Sequence, residues 1–226
     1  MEMKDALIRA IGRYRSDLDR IDDWFEPSSR RSSRDFERWG AIDFIAHSAF
    51  FAERRIRIIE DLSGVEPLGD FDQALRSVFD RHTGSTWDEV TGMLRTSLDG
   101  LKSLASKRDA LDLEALDDDD QPMWRSIAFY GILHSSGHVA EAMIRAGNLI
   151  DAVSLQRRVT ESLKEINQTD RWVGLVDFNL ARVLARAGDA DAAAVAGDAV
   201  SRDPDLGPRM KQDPDFVAIR DELGAD

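Results

Sequence analysis

Two histidines four residues apart are the side chains of this sequence best suited to chemistry. His134 and His138 form an H-x-x-x-H pair within a segment whose apolar residues recur at helical spacing. Because four residues advance about 40° beyond a full helical turn, both imidazoles project from one helix face. Imidazole is a common ligand of zinc and related divalent ions. The pair therefore predicts part of a metal site.

A third histidine, His47, lies in the middle of another amphipathic segment. Three imidazoles around one ion leave a coordination position open, as in catalytic zinc sites, whereas structural sites have four protein ligands. The alternative is that all three are hydrogen-bonded core residues. Burying three imidazoles requires a partner for each donor and acceptor, which favours the metal site. The fourth histidine, His82, lies in a polar break beside Gly84 and is expected to be a surface or capping residue.

The elements that position these side chains are predicted to be helices, because apolar residues recur at three and four and no run alternates as a strand would. Proline, glycine and serine clusters separate the helices. Four long amphipathic helices are predicted over residues 4–25, 35–62, 70–107 (with a break at 82–84) and 122–146. Together they predict an all-α four-helix bundle over residues 1–148.

Beyond residue 148 the helices become shorter, with predictions at 151–166, 171–187 and 190–202 and another near 215–223. Residues 178–204 resemble one tetratricopeptide (TPR) hairpin, in which Gly188-Asp189 fits the turn and Pro204 the stop. The predicted domains are thus a bundle, 1–148, and a helical TPR-like extension, 149–226. A single repeat needs a neighbour to bury its faces, so the extension either covers the bundle or binds a protein partner. A homodimer is a further candidate assembly.

Composition excludes several classes of protein. The 226 residues include no cysteine, which excludes disulfides, thiolate metal sites and a cysteine nucleophile. With 43 acidic and 30 basic residues the net charge is −13, which argues against a nucleic-acid partner. The sequence has no stretch of about 20 uncharged apolar residues of the kind that a membrane span requires, and the N-terminus has no signal-peptide pattern. We therefore expect a cytoplasmic protein with no membrane partner. The run Asp117–Asp120 predicts a solvated loop, with a calcium site as the alternative.

The histidine motifs also carry a family resemblance. The segment Trp39-x-x-x-Asp43-Phe44-Ile45-Ala46-His47, with Arg54 on the same helix and His134-Ser-Ser-Gly-His138 much later, resembles the DinB/YfiT-like superfamily of four-helix bundles. The resemblance covers about residues 1–148. It implies that His47, His134 and His138 bind a divalent metal such as zinc, nickel, iron or manganese. Members include thiol-dependent transferases and isomerases, so a low-molecular-weight thiol is an implied cofactor, and others have no known activity.

Three further side chains are candidates for supporting roles. Glu141 stands where many members of that superfamily carry glutamine, and is either a carboxylate near the metal or a solvated side chain. Tyr130, four residues before His134, is a phenol that could donate a proton. Asp43 either accepts a hydrogen bond from His47 and orients it, or favours the first turn of its helix through the helix dipole. The aromatic side chains that could wall the pocket, or simply belong to the core, are Phe50, Phe51, Trp124 and Tyr130.

These observations support three hypotheses of function. The first is a metal-dependent enzyme of the transferase or hydrolase type, acting on a small molecule that the sequence does not identify, with Glu141 or Tyr130 as acid or base. The second is a non-catalytic binding or adaptor protein with an interaction surface in its TPR-like extension. The third is a decayed site whose histidines are structural remnants.

Overall fold

All regular secondary structure in the described part of the chain is helical, which confirms the all-α class. The computed structural model describes residues 2–33, 39–60, 78, 81–82, 84–117 and 120–220. Within these ranges the only β feature is an isolated bridge between Leu116 and Pro122. No helix in these ranges is long and apolar enough to cross a membrane.

In the first half of the chain the described residues form a series of helices, two of which carry the three predicted histidines. These helices are α1 (Glu2–Asp17, followed by a 3₁₀ helix, Leu18–Trp24), α2 (Ala41–Ile59), α3 (Trp87–Lys107), α4 (Ala110–Glu114), α5 (Met123–Ala128) and α6 (His134–Arg145). A π-helical turn, Phe129–Leu133, joins α5 to α6, where the sequence predicts one uninterrupted helix. Parts of the second and third predicted helices, residues 35–38, 61–62, 70–77 and 79–80, lie outside the described residues.

Local signals account for where these helices begin. The Thr86 side chain accepts a hydrogen bond from the backbone N–H of Glu89 at 3.3 Å, and the Thr86 N–H donates to the Glu89 carboxylate at 2.7 Å. This reciprocal capping box satisfies two backbone N–H groups that the first turn of α3 leaves without helical partners. At the start of α2, the Gly40 N–H donates to the Asp43 carboxylate at 3.0 Å.

The second half of the chain folds as further helices. They are α7 (Leu149–Lys164), α8 (Asp170–Ala187), α9 (Ala192–Arg202) and α10 (Leu206–Gln212), followed by a 3₁₀ helix, Pro214–Ile219. Gly188 ends α8 with φ of 70°, a left-handed conformation that glycine adopts without a steric penalty. The sequence predicts the first three of these helices but not α10, which carries a proline and a glycine within seven residues.

The main hydrophobic core continues past residue 148. Leu155 of α7 and Trp172 of α8 belong to the same buried cluster as the apolar side chains of α1, α2, α3, α5 and α6. Trp172 is 1% exposed, lies edge-on to Trp124 with ring centroids 5.2 Å apart, and donates from Nε1 to the Leu163 carbonyl at 2.9 Å. A second cluster joins α8, α9 and α10 around Phe178 and Phe216. The division into domains 1–148 and 149–226 stays a prediction.

The first aspartate of the acidic run, Asp117, is not solvated. Asp117 forms an ion pair with Arg55 of α2 at 3.3 Å, and both side chains are less than 5% exposed. The Arg55 guanidinium also lies 4.3 Å from the centre of the Tyr130 ring. A buried arginine needs a carboxylate partner, which explains why the first aspartate of the run turns inward. Residues 118 and 119 lie outside the described residues.

Candidate metal centre

The structure brings the three predicted histidines together from two helices. His47 comes from the middle of α2, and His134 and His138 lie one turn apart on α6. The Nε2 atoms of His47 and His134 are 3.1 Å apart. One ring nitrogen from each of the three histidines lies within 4.8 Å of the other two, an arrangement that could hold a metal ion.

The spacing of these nitrogens can be compared with that of zinc ligands. Two nitrogens at ~2.0–2.1 Å from a tetrahedral ion lie about 3.3 Å apart, and no two such ligands can be more than about 4.2 Å apart. The His47–His134 separation of 3.1 Å is close to the tetrahedral value. A pair at the 4.8 Å limit would have to close by about 0.6 Å, a shift that side-chain rotation can supply. The donor set therefore fits a divalent ion.

Burial keeps the three imidazoles in the neutral form that binds metal. Burial and the neighbouring His134 lower the pKa of His47 to about 3. Burial and the positive charge of Arg182 lower the pKa of His134 to about 4. The pKa of His138 is also well below its usual range, because of burial first and then the nearby His134 and His47. A neutral imidazole has one unprotonated ring nitrogen, and its lone pair is the one that binds a metal ion.

Aromatic rings surround the histidines and exclude water from one side. The ring of Phe51 lies 4.6 Å from that of His47, and the ring of Trp39 lies 5.4 Å from it. Phe44 packs 5.7 Å from His138 and Phe129 packs 6.0 Å from His134. Of the predicted aromatic wall, Phe51 and Tyr130 are close to the histidine rings.

Two members of the predicted wall have other neighbours. Phe50 packs edge-on to Phe51, with ring centroids 5.3 Å apart, and lies beneath the Arg81 guanidinium. Trp124 packs against Trp172 of α8. Helical periodicity places both residues on buried faces, but it does not specify which neighbour each one meets. Of the two alternatives, pocket wall or core, Trp124 therefore follows the second and belongs to the main core.

The π turn sets the direction from which His134 enters the site. The His134 N–H donates to the Phe129 carbonyl, five residues back, so one extra residue is accommodated just before the histidine. Such turns occur frequently at functional sites. The next residue, Ser135, is fully buried and its hydroxyl lies 2.9 Å from that of Tyr14, which fixes α6 against α1.

Tyr130, the predicted proton donor, lies within this turn. Its ring stacks on Phe51 at 6.4 Å and lies 6.3 Å from the ring of His134. Arg55 lies over its face at 4.3 Å. The acid–base role of Tyr130 stays a prediction.

Asp43 acts at the start of α2. Its Oδ1 accepts from the Ser32 hydroxyl at 2.5 Å, and its Oδ2 accepts from the N–H groups of Ser33 and Gly40 at 2.7 and 3.0 Å. Burial raises the pKa of Asp43, and these three hydrogen bonds oppose that rise. Within the described residues the Nδ1 atom of His47 has no hydrogen-bond partner. The contacts thus favour the helix-start interpretation of Asp43 over the orienting one.

Glu141, the other predicted acid–base residue, lies one turn beyond His138 at the edge of the site. Its Oε1 accepts from Arg145 of α6 and from Arg186 of α8, each at 2.7 Å. The carboxylate is therefore neither freely solvated nor a member of the histidine group. It links the helix that carries two histidines to the C-terminal half of the chain.

The fourth histidine differs from one of its two predicted positions. His82 was expected to be a surface or capping residue, and at 8% exposed it does not lie at the surface. The adjacent Arg81 pairs with Glu53 of α2 at 3.7 Å. His82 does not join the three-histidine group.

A cleft of about 840 Å³ opens onto His134 and His138. Residues of α6 form one wall, and residues of α8, α10 and the following 3₁₀ helix form the other. The arginines of that second wall, Arg182, Arg186 and Arg209, were not predicted as site residues. The sequence gives only a weak indication of them, because it is the folding of the chain that brings them to the histidines.

Comparisons with known proteins return no family model, no curated protein and no solved structure that matches this chain. The site must therefore be interpreted from its own geometry.

Proposed function

We propose that the chain is a divalent-metal-dependent enzyme that acts on a small molecule at His47, His134 and His138. The observation that carries this proposal is the convergence of three neutral imidazoles, from two helices, to within 4.8 Å. The cleft beside them has the size of a small-molecule site, for which ~300–1,000 Å³ is typical. Zinc, nickel, iron and manganese are the candidate ions.

The three histidines would hold the ion and leave one side open toward the cleft. A bound divalent ion supplies Lewis-acid chemistry, which suits either transfer to a thiol or hydrolysis. The aromatic side chains of Trp39 and Phe51 keep water from the far side of His47. Glu141 and Tyr130 are the groups that could move a proton near this opening, Glu141 from the cleft wall and Tyr130 from the π turn.

We extend the proposal to the fold. The positions of His47, His134 and His138 support a DinB-like four-helix bundle for residues 1–148, built on α1, α2, α3 and the α5–α6 segment. The α8–α9 pair, with Gly188 at its turn, supports a TPR-like hairpin in residues 149–226. Because Trp172 lies in the main core and α8 walls the cleft, this extension covers the histidine site.

The alternative is a non-catalytic protein that binds a small molecule at the same site, or an adaptor that binds a protein through the extension. Reloading experiments separate the catalytic and non-catalytic functions. Chelator-treated protein is reloaded with zinc, nickel, iron or manganese and assayed for thiol transfer and for hydrolysis of activated esters and amides. We expect turnover that needs the metal and disappears in His138→Ala. Full metal content without metal-dependent turnover in any form would favour the non-catalytic alternative.

A further inference from the structure

The cleft beside the histidines is cationic in a strongly acidic protein. The chain carries a net charge of −13, whereas four arginines and three carboxylates line the cleft. The arginines are Arg145, Arg182, Arg186 and Arg209. One acidic residue, Glu141, is shared between Arg145 and Arg186. Asp215 is likewise shared between Arg182 and Arg186, while Asp213 pairs with Arg182.

Arg209 of α10 is the cation that these carboxylates leave unmatched. Among the described residues it forms no ion pair, and its guanidinium lies 5.3 Å from the centre of the Phe178 ring. This contact with an aromatic face holds the guanidinium at the cleft wall without neutralising it. An exposed guanidinium held in this way presents paired N–H donors, the geometry that matches a carboxylate.

The rest of the cleft is largely apolar. Phe44, Ile144 and Leu175 line it together with Phe129 and Phe178. The imidazoles of His134 and His138 lie on the α6 wall. A ligand that satisfies this surface therefore needs an apolar body, an anionic end for the arginines and a donor atom that faces the histidines.

We propose that the cleft binds a small organic carboxylate whose apolar body packs on these aromatic side chains and whose carboxylate pairs with Arg209. The inference deepens the proposed function, since it names the substrate class of the same site. Only the role that the inference gives to the histidines rests on the proposed function. The contact with Arg209 requires no metal.

Calorimetric titration with 3-phenylpropionate tests the proposal, because its neutral amide has the same shape without the charge. Both probes, and inorganic phosphate, are titrated into metal-free and zinc-loaded protein, and the metal content is measured separately. We expect the acid to bind at least tenfold more tightly than the amide, about 1.4 kcal/mol. Arg209→Ala should weaken binding of the acid about tenfold, and Arg209→Lys should recover part of this loss, because it keeps the charge but not the paired donors.

Arg171→Ala is the matched control, since Arg171 is an exposed arginine of α8 outside the cleft. It should change the affinity for the acid less than twofold. Equal binding of acid and amide, equal losses in the two alanine variants, or no binding of the acid at 10 mM would overturn the inference. Tighter binding of phosphate than of the acid would overturn the carboxylate assignment. If metal does not bind but Arg209-dependent binding of the acid persists, the proposed function fails and the inference stands.

Discussion

Replacement of Asp43 separates two explanations of how the start of α2 supports the site. The Asp43 side chain accepts three hydrogen bonds, from Ser32, Ser33 and Gly40, at 2.5, 2.7 and 3.0 Å, and the residue is 4% exposed. If Asp43 only fixes the segment before α2, its loss should reduce stability and leave the affinity for metal nearly unchanged. If it orients His47, its loss should reduce metal affinity about 10–100-fold, as other outer hydrogen-bond partners of metal ligands do.

The size of the stability effect follows from these contacts. Asp43→Ala removes one acceptor from two part-buried backbone N–H groups and from the Ser32 hydroxyl. Loss of a hydrogen bond to a buried group costs about 1–3 kcal/mol, so we expect a total loss of about 3 kcal/mol in the free energy of unfolding. Asp43→Asn keeps one oxygen for the backbone donors and removes the charge, so about 1–2 kcal/mol should be lost. In a chain of this length, 3 kcal/mol corresponds to a decrease of about 6–12 °C in Tm.

Urea unfolding of the metal-free protein measures the first quantity, and competition with a chelator measures the second. The control is Ser32→Ala, which removes one donor and leaves Asp43 in place. We expect the metal dissociation constant of Asp43→Asn to stay within about threefold of that of the unmodified protein. A loss below about 0.5 kcal/mol for Asp43→Ala, or a tenfold loss of metal affinity in Asp43→Asn, would refute this reasoning.

Two further predictions concern the C-terminal half of the chain. Trp172→Ala should reduce the free energy of unfolding by about 3–5 kcal/mol, because the ring is fully buried against the main core; Val217→Ala, at a residue 66% exposed, should change it by less than about 0.5 kcal/mol in the same urea titration. Equal effects would contradict the packing of α8. Burial raises the pKa of Asp215, but Arg182 and Arg186 lower it by more, so the pKa lies below its usual value. The ionised carboxylate therefore stabilises the fold above about pH 4, and this contribution is lost as the pH falls further. Asp215→Asn should therefore cost about 1 kcal/mol at pH 7 and less at pH 3, and an equal cost at both values would contradict the ion-pair contribution.

Helical periodicity and end signals made much of the fold predictable. The Thr86 capping box and the left-handed Gly188 are local features, so the start of α3 and the end of α8 could be located without tertiary information. The π turn, Phe129–Leu133, could not be predicted, because its residues are ordinary helix formers and the extra residue is accommodated by packing. The burial of the Asp117 carboxylate could not be predicted either, because it depends on the ion pair with Arg55, 62 residues away in the sequence.

The candidate site was likewise predictable only in part. His134 and His138 share a helix, so their spacing alone predicts that they lie on one face. The prediction that His47 joins them requires only that α2 lie opposite α6. The cleft wall contributed by Arg182 and Arg209 depends on how α8 and α10 pack against α6, which no local pattern records. The ion pairs of Glu141 likewise depend on Arg186 of α8, so the sequence could place this carboxylate near the histidines but could not identify its partner there.

Metal analysis of protein purified without a histidine tag tests the central claim most directly. We expect about one divalent ion per chain, retained in His82→Ala and lost in His134→Ala, with both variants folded by circular dichroism. The His82 control matters because that imidazole is also buried but lies outside the three-histidine group. Protein that contains no metal and takes up none on incubation with zinc, nickel, iron or manganese, or equal metal content in the two variants, would contradict the central claim.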